Sequence, residues 1–187
     1  GLALDGRFYP VVELMYADFI WVAADQIFNQ IGKARHMFGG DHDMPLLMRI
    51  KIGTGTGYGS QHSMDPAGIM ATSVGWRIIA PSSPMDYVGL INAAMHLKDP
   101  VVVLEHDADL YKITGPAPKK DWNYILPPGQ AAVRREGKDV TVLTYLSMVT
   151  KSLQAAEKSG VDAEVIDLRW LDRASLDWET IEASVRK

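Results

Sequence analysis

The chain has 187 residues, 47% of them hydrophobic, and a formal net charge of -4, enough for one large domain or two small ones with a real core. No basic stripe interleaved with aromatics is present, which argues against nucleic-acid binding, and no apolar run approaches the ~18 residues of a membrane span. The chain contains no cysteine, which removes disulfides, zinc-cysteine sites and a cysteine nucleophile from consideration.

"GLALDGRFYPVVEL" opens without an initiator Met or a signal-peptide pattern. Gly6 reads as the C-terminal stop of a helix that runs into a strand. At the other end "TIEASVRK" stops inside a helical pattern, so both ends are expected to be cut from a longer protein. "YPVVELMY" is a strand by its β-branched and apolar content. Asp18 is placed to cap a long helix through Met37, with Ile20, Ala23, Ala24, Ile27, Ile31 and Ala34 at the helical period and Gly39-Gly40 as its stop. "MPLLMRIKI" is a mostly buried strand, "MDPAGIMATS" a short helix and "GWRIIAP" another strand. Ser83, Pro84 and Asp86 form a capping-box start for a helix through Leu97. "PVVVLEH" is a continuous apolar strand.

Alternating strands and helices, with strands that are apolar throughout, are the pattern of a parallel α/β sheet covered on both faces. Over 107–130 the composition turns to Pro, Gly and charge, which reads as a linker. A second α/β unit over 131–187 follows, with strand "DVTVLTYL", helix "MVTKSLQAAEKSG", strand "DAEVIDLRWL" and a helix from about Leu176. A piece of roughly 55 residues is marginal by itself.

Between the second strand and the short helix lies "GTGTGYGSQHS". Its glycines Gly53, Gly55, Gly57 and Gly59 follow the C-terminal end of a strand, where an open α/β sheet places its site. They match neither a Walker A loop, which needs Gly-Lys-Ser/Thr, nor G-x-G-x-x-G. The loop either turns the chain over packed elements or brings backbone close to a ligand. His62 is accordingly either a satisfied structural histidine or a proton carrier at that site. His36, His42, His96 and His106 show no metal-ligand spacing, no G-x-S-x-G is present, and the pairs Asp41/Asp43 and Asp107/Asp109 read as solvated loop charges.

Several segments together resemble the β subunit of the E1 component of 2-oxoacid dehydrogenase complexes, of the pyruvate, branched-chain and acetoin dehydrogenase type. They are Pro10 to Glu13, Ala17-Asp18-Phe19, Asp25-Gln26-Ile27 with Gly39-Gly40, the glycine loop ending Gln61-His62-Ser63, "APSSPMDYVGLINAAMHLKDPVVVLEH", and the two strand-helix stretches after 139. The resemblance implies a transketolase-like pyrimidine-binding domain over 1–106 and the start of a transketolase C-terminal-like domain over 131–187. It implies a thiamine diphosphate site shared with an α subunit, which would hold the diphosphate and Mg²⁺ in an α₂β₂ heterotetramer. Acyl transfer to a lipoyl-bearing E2 is implied too, in a bacterial cytoplasm or a mitochondrial matrix. Phe19 matches the aromatic residue packed on the aminopyrimidine, and His62 the active-site histidine. A structural K⁺ is implied at Leu46, Ala94, Met95, Leu97 and Asp99, held by carbonyl oxygens that suit a hard cation. The cofactor-activating glutamate of the family falls upstream of residue 1. Ile50-Lys51-Ile52 depart from the family's frequent proline at the strand-loop junction. An acetoin dehydrogenase β subunit is the alternative, and a non-catalytic assembly protein that keeps the fold is the alternative of another class.

Overall fold

Four short apolar runs build one parallel sheet. The computed structural model describes residues 1–110, 112–116 and 118–187, without the side chains of Asp109 and Leu110. Strands β1 (Val11–Leu14), β2 (Leu46–Ile52), β3 (Arg77–Ile79) and β4 (Pro100–His106) lie in the order β1-β2-β4-β3, all parallel. Successive side chains of a strand point to opposite faces, and both faces are covered here. Met48, Ile50, Ile52, Val102 and Leu104 face one core, with Ile20, Ile27, Met70 and Trp76 packed on them. Leu47, Val101 and Val103 face the other, against Leu90, Ala93 and Ala94 of α3 (Pro84–Met95). Burial on both sides is why β4 reads as one apolar run, whereas β2 alternates over its second half, with Arg49 and Lys51 half-buried, and the edge strand β1 is largely exposed.

The long helix expected from Asp18 to Met37 is not continuous. A 3₁₀ turn Ala17–Trp21, a π-helical stretch Asp25–Ile31 and α1 (Gly32–Met37) take its place. Asp18 does not cap it, because its carboxylate accepts the backbone N–H of Met64 at 3.1 Å and ties the 3₁₀ turn to the chain after the glycine loop. Wider turns absorb extra residues while Ile20, Ile27 and Ala34 all stay buried and Trp21 and Val22 face outward. The Ser83 cap is present, accepting the Asp86 N–H at 3.1 Å. Helix α2 (Ala67–Thr72) and the short α4 (Asp107–Leu110) complete this part.

Strands β5 (Ala132–Arg135), β6 (Val140–Thr144) and β7 (Ala163–Asp167) form a second sheet in the order β5-β7-β6. Helix α5 (Ser147–Ser159) connects β6 to the parallel β7, and α6 (Trp178–Val185) ends the chain. β5 runs antiparallel to β7 and has no counterpart in the sequence reading.

The two sheets are joined directly. Ala80 donates to the Arg169 carbonyl and Leu171 to that of Ile78, both at 2.9 Å. Trp170 is fully buried in the core on the α3 face, and its indole donates to the Leu126 carbonyl at 3.2 Å. The segment before β5 is fastened too: Asn92 donates to the carbonyls of Trp122 and Tyr124, and Leu126 N–H to that of Gly89. Beside this joint Asp86 and Asp167, both with no exposed surface, are neutralised by Arg134 and Arg169. Burial pushes the Asp167 carboxyl up, and hydrogen bonds from Ser82 and Arg134 oppose that. Among the described residues no helix is long and apolar enough to cross a membrane.

Removing the keystone tests this joint. Trp170→Ala should cost about 3–5 kcal/mol, the range for emptying a large aromatic from a core, in urea unfolding. A loss below about 1 kcal/mol would show that the sheets are not docked through Trp170.

Candidate functional site

The glycine loop leaves β2 and folds back on itself. Thr54 Oγ1 donates to the Ser63 carbonyl at 2.6 Å, Thr56 Oγ1 to that of Gly53 at 2.5 Å and Ser63 Oγ to that of Gly59 at 2.7 Å. Gly55, Gly57 and Gly59 have φ of 79°, 89° and 78°, the left-handed region that L side chains avoid. Gly53 is required for a different reason: a Cβ there would lie 2.2 Å from the His62 carbonyl oxygen. The loop therefore brings His62, on the 3₁₀ turn Ser60–His62, against the end of its own strand.

The imidazole sits in an aromatic ring cluster. Tyr16 meets it edge-on at 4.7 Å between centroids, Phe19 at 5.6 Å and Tyr58 at 6.2 Å. Edge-to-face contacts of this kind fix ring orientation. His62 is half-buried, and its Nδ1 is buried with no hydrogen-bond partner among the described residues. Buried polar atoms are normally paired, so this nitrogen is an exception within the cluster. Phe19 keeps 39% of its surface exposed. It is not a core residue, and its ring is open to a planar partner.

A small polar relay flanks the cluster. Tyr16 Oη donates to Asp107 Oδ2 at 3.4 Å, and Lys51 Nζ lies 3.8 Å from Asp107 Oδ1. Desolvation and then the Asp107 charge raise the Tyr16 phenol above its ordinary value, so it stays a donor. Asp107 is thus an engaged residue and not the solvated loop charge expected, while the side chain of its expected companion Asp109 lies outside the described residues. Sequence reasoning also missed Tyr16 and Tyr58; the spacing of Tyr16 and Phe19 on one short turn was the available signal.

The five positions matched to a cation gather in one place. Leu46 is in register with Pro100, next to the last residues of α3, Ala94 and Met95, and the α3–β4 turn that carries Leu97 and Asp99. The Ala94 carbonyl already accepts from Tyr9 Oη at 3.0 Å and Leu97 N at 3.0 Å, and the Asp99 carboxylate pairs with Arg35 and Arg77. No cluster of three acidic or histidine side chains suited to a metal is present among the described residues.

A family model described as the transketolase pyrimidine-binding domain matches residues 1–112, and one described as the transketolase C-terminal domain matches 129–187. The chain is 40% identical over 179 residues to the acetoin:2,6-dichlorophenolindophenol oxidoreductase subunit beta of Cupriavidus necator, covering 94% of this chain and 52% of that protein. It is 40% identical over 175 residues to the 2-oxoisovalerate dehydrogenase subunit beta of Bacillus subtilis, covering 90% and 53%. Against the mitochondrial pyruvate dehydrogenase E1 component subunit beta-1 of Arabidopsis thaliana it is 42% identical over 183 residues, covering 95% and 50%. The chain spans about half the length of the curated relatives it matches. A solved structure titled as a split-gene transketolase, inactive beta4 tetramer, superposes with a TM-score of 0.73 at 20% identity, over 100% of this chain and 58% of that one. At that identity the likeness shows the fold.

Two glycine replacements separate the close contact from simple flexibility. Gly53→Ala should destabilise by about 1–3 kcal/mol, the cost of forcing an atom into a packed position. Gly68→Ala, on α2 with open space around it, should be neutral or stabilising by about 0.4–1 kcal/mol. Thermal or urea unfolding reads both. Equal effects would remove the contact between Gly53 and His62 from the account.

Proposed function

We infer what this chain does from the premise that it belongs to the transketolase family, through both its pyrimidine-binding and its C-terminal parts. It acts as the β subunit of a thiamine-diphosphate-dependent 2-oxoacid dehydrogenase E1. The observation that carries this reading is the pairing of an open aromatic face, Phe19, with a buried, unpartnered His62 Nδ1 on the loop at the end of β2. Relatives of similar identity are named for acetoin, 2-oxoisovalerate and pyruvate, so the substrate class proposed is the one they share, a small molecule cleaved beside a carbonyl carbon. The domain division at residues 106 and 131 belongs to the same proposal, as does a bacterial cytoplasmic or mitochondrial matrix location.

The residues present fit half of a cofactor site. Thiamine diphosphate, when bound, supplies the electron sink for carbanion chemistry at that carbon. Phe19 would pack on the flat aminopyrimidine, a use suited to an exposed ring. An α subunit would hold the diphosphate and Mg²⁺. Tyr16, Tyr58 and Phe19 orient the imidazole and keep water from its buried edge. His62 would then hold or pass a proton as the acyl group moves to the lipoyl sulfur of E2, a task for a group that changes charge near neutral pH. A K⁺ at Leu46, Ala94, Met95, Leu97 and Asp99 fits less well, because Ala94 would have to release one of its two hydrogen bonds.

Two variants, made in a full-length β subunit that carries the upstream glutamate and assembled with a cognate α subunit, test the assignment. Phe19→Ala should weaken thiamine diphosphate binding by about 0.5–1.5 kcal/mol plus a burial contribution. His62→Ala should slow the lipoyl-coupled reaction by roughly 10²–10⁴, with cofactor affinity nearly unchanged. An assay with an artificial electron acceptor, which bypasses lipoyl transfer, should suffer less. An equal fall in both assays would assign His62 to a step before the lipoyl group arrives and overturn this role.

A further inference from the structure

Residues 63–65, the exit of the glycine loop, are held from three parts of the chain. Thr54 Oγ1 donates to the Ser63 carbonyl at 2.6 Å, and the Met64 N–H donates to Asp18 Oδ2 at 3.1 Å. The third hold comes from the second unit. Tyr145, the residue after β6, donates its hydroxyl to Asp65 Oδ2 at 3.0 Å, across 80 positions of sequence. Asp65 uses its other oxygen to accept the Ala67 N–H at 2.9 Å. One carboxylate thus joins the loop exit, the start of α2 and the end of β6.

The turn that carries Tyr145 is itself firmly set. The Tyr145 ring packs against the core that contains Ile50, Ile52 and Met70, and Leu146 beside it is buried in that core. Leu146 stands at φ 49°, in the left-handed region that a branched side chain avoids. Such a conformation persists only where the surroundings over-determine it. Here the buried Leu146 side chain does so, together with the bonds from Met148 N–H to the Tyr145 carbonyl at 3.2 Å and from Val149 N–H to the Leu146 carbonyl at 3.1 Å. Leu146 and Ser147 also line a cavity of about 350 Å³ at the ends of β3 and β4, whereas Tyr145 does not. Burial, and then the Asp65 charge, push the Tyr145 phenol up to about 12, so its hydroxyl remains a donor at neutral pH.

The loop has little stiffness of its own. Gly53, Gly55, Gly57 and Gly59 leave its backbone more freedom than other residues would, so the placing of His62 depends on where the two ends are tied. β2 fixes the entrance. At the exit, two attachments would leave the segment free to turn about the line between them, and a third removes that freedom. We propose that Tyr145 is a positioning residue for His62: through Asp65 it locks the exit of the glycine loop and holds the imidazole in register with Tyr16, Phe19 and Tyr58. A residue of the second unit thereby completes a site whose rings all come from the first. The consequence for catalysis rests on the role proposed for His62; the positioning itself does not.

Tyr145→Phe, which keeps the ring and deletes only the hydroxyl, tests this on the 187-residue chain. The three neighbouring rings displace the ring-proton resonances of His62 from those of a free imidazole. The variant should bring these resonances back toward the free values. It should also speed hydrogen exchange at the Met64 and Ala67 amides about 3–10-fold, the size of one net hydrogen bond. Asp65→Ser keeps an oxygen for the Ala67 N–H but is too short to meet Tyr145. It should act in the same way, and the double variant should add nothing further. Tyr9→Phe deletes a comparable hydroxyl bond, to the Ala94 carbonyl at the amino-terminal end of the first sheet, and should leave the His62 resonances and both amides as they are. In a full-length β subunit that carries the upstream glutamate and is assembled with a cognate α subunit, Tyr145→Phe should lower kcat of the lipoyl-coupled reaction about 3–10-fold, with KM and thiamine diphosphate affinity unchanged. The proposal is overturned if a folded Tyr145→Phe leaves the His62 resonances and the Met64 exchange as in the parent, or if Tyr9→Phe moves them as far. Displaced resonances with an unchanged rate would support Tyr145 as the anchor of the loop and count against the role proposed for His62.

Discussion

The arrangement of this molecule depends on how the edge strand β3 is closed. A three-residue strand leaves backbone groups open on its outer side, a site for unwanted pairing. Here residues 169–172 supply the partner: Arg169 and Leu171 exchange backbone hydrogen bonds with Ala80 and Ile78, and Asp172 accepts the Ile78 N–H at 3.1 Å. Trp170, between them, enters the α3 face of the first sheet. The second sheet is thus an extension of the first and not a bead on a string. Its docking creates the cavity at the strand ends and buries the Asp86 and Asp167 carboxylates with their arginines.

At the other side of β4 a steric condition sets the candidate site. The absence of a Cβ at Gly53 lets the His62 carbonyl come close, and the Asp18 carboxylate holds the chain beyond it. Those two contacts bring one imidazole within reach of Tyr16, Phe19 and Tyr58. The result offers an orientated ring nitrogen and an open aromatic face. It offers no cluster of acidic side chains for a metal among the described residues. Such a surface suits a flat, uncharged ring, with the charged part of a cofactor held elsewhere, and the proposed partnership with an α subunit follows that division.

Much of the fold was legible because burial on two faces writes itself as an apolar run, as in "PVVVLEH". The Ser83 cap was legible because its chemistry is local. What failed was non-local. Asp18 looked like a helix cap until its real partner, Met64, came from beyond the glycine loop. β5 carries two arginines in four residues and pairs at a bulge on one side only, so no periodicity marks it. The hydrogen bonds that tie residues 122–126 to Asn92 and Gly89 of α3 are likewise invisible in local composition. Of the candidate site, His62 was marked by its place after the glycine loop and, with Phe19, by family resemblance; their convergence with Tyr16 and Tyr58 required the folded loop.

The central claim is that this chain presents the pyrimidine-facing half of a thiamine diphosphate site. Calorimetric titration of thiamine diphosphate with Mg²⁺ into the chain alone, and into the chain mixed with a cognate α subunit, tests it most directly. The account predicts no binding near the micromolar range, roughly 8 kcal/mol, for the chain alone and saturable binding once the α subunit is present. Micromolar binding to the isolated chain would contradict it.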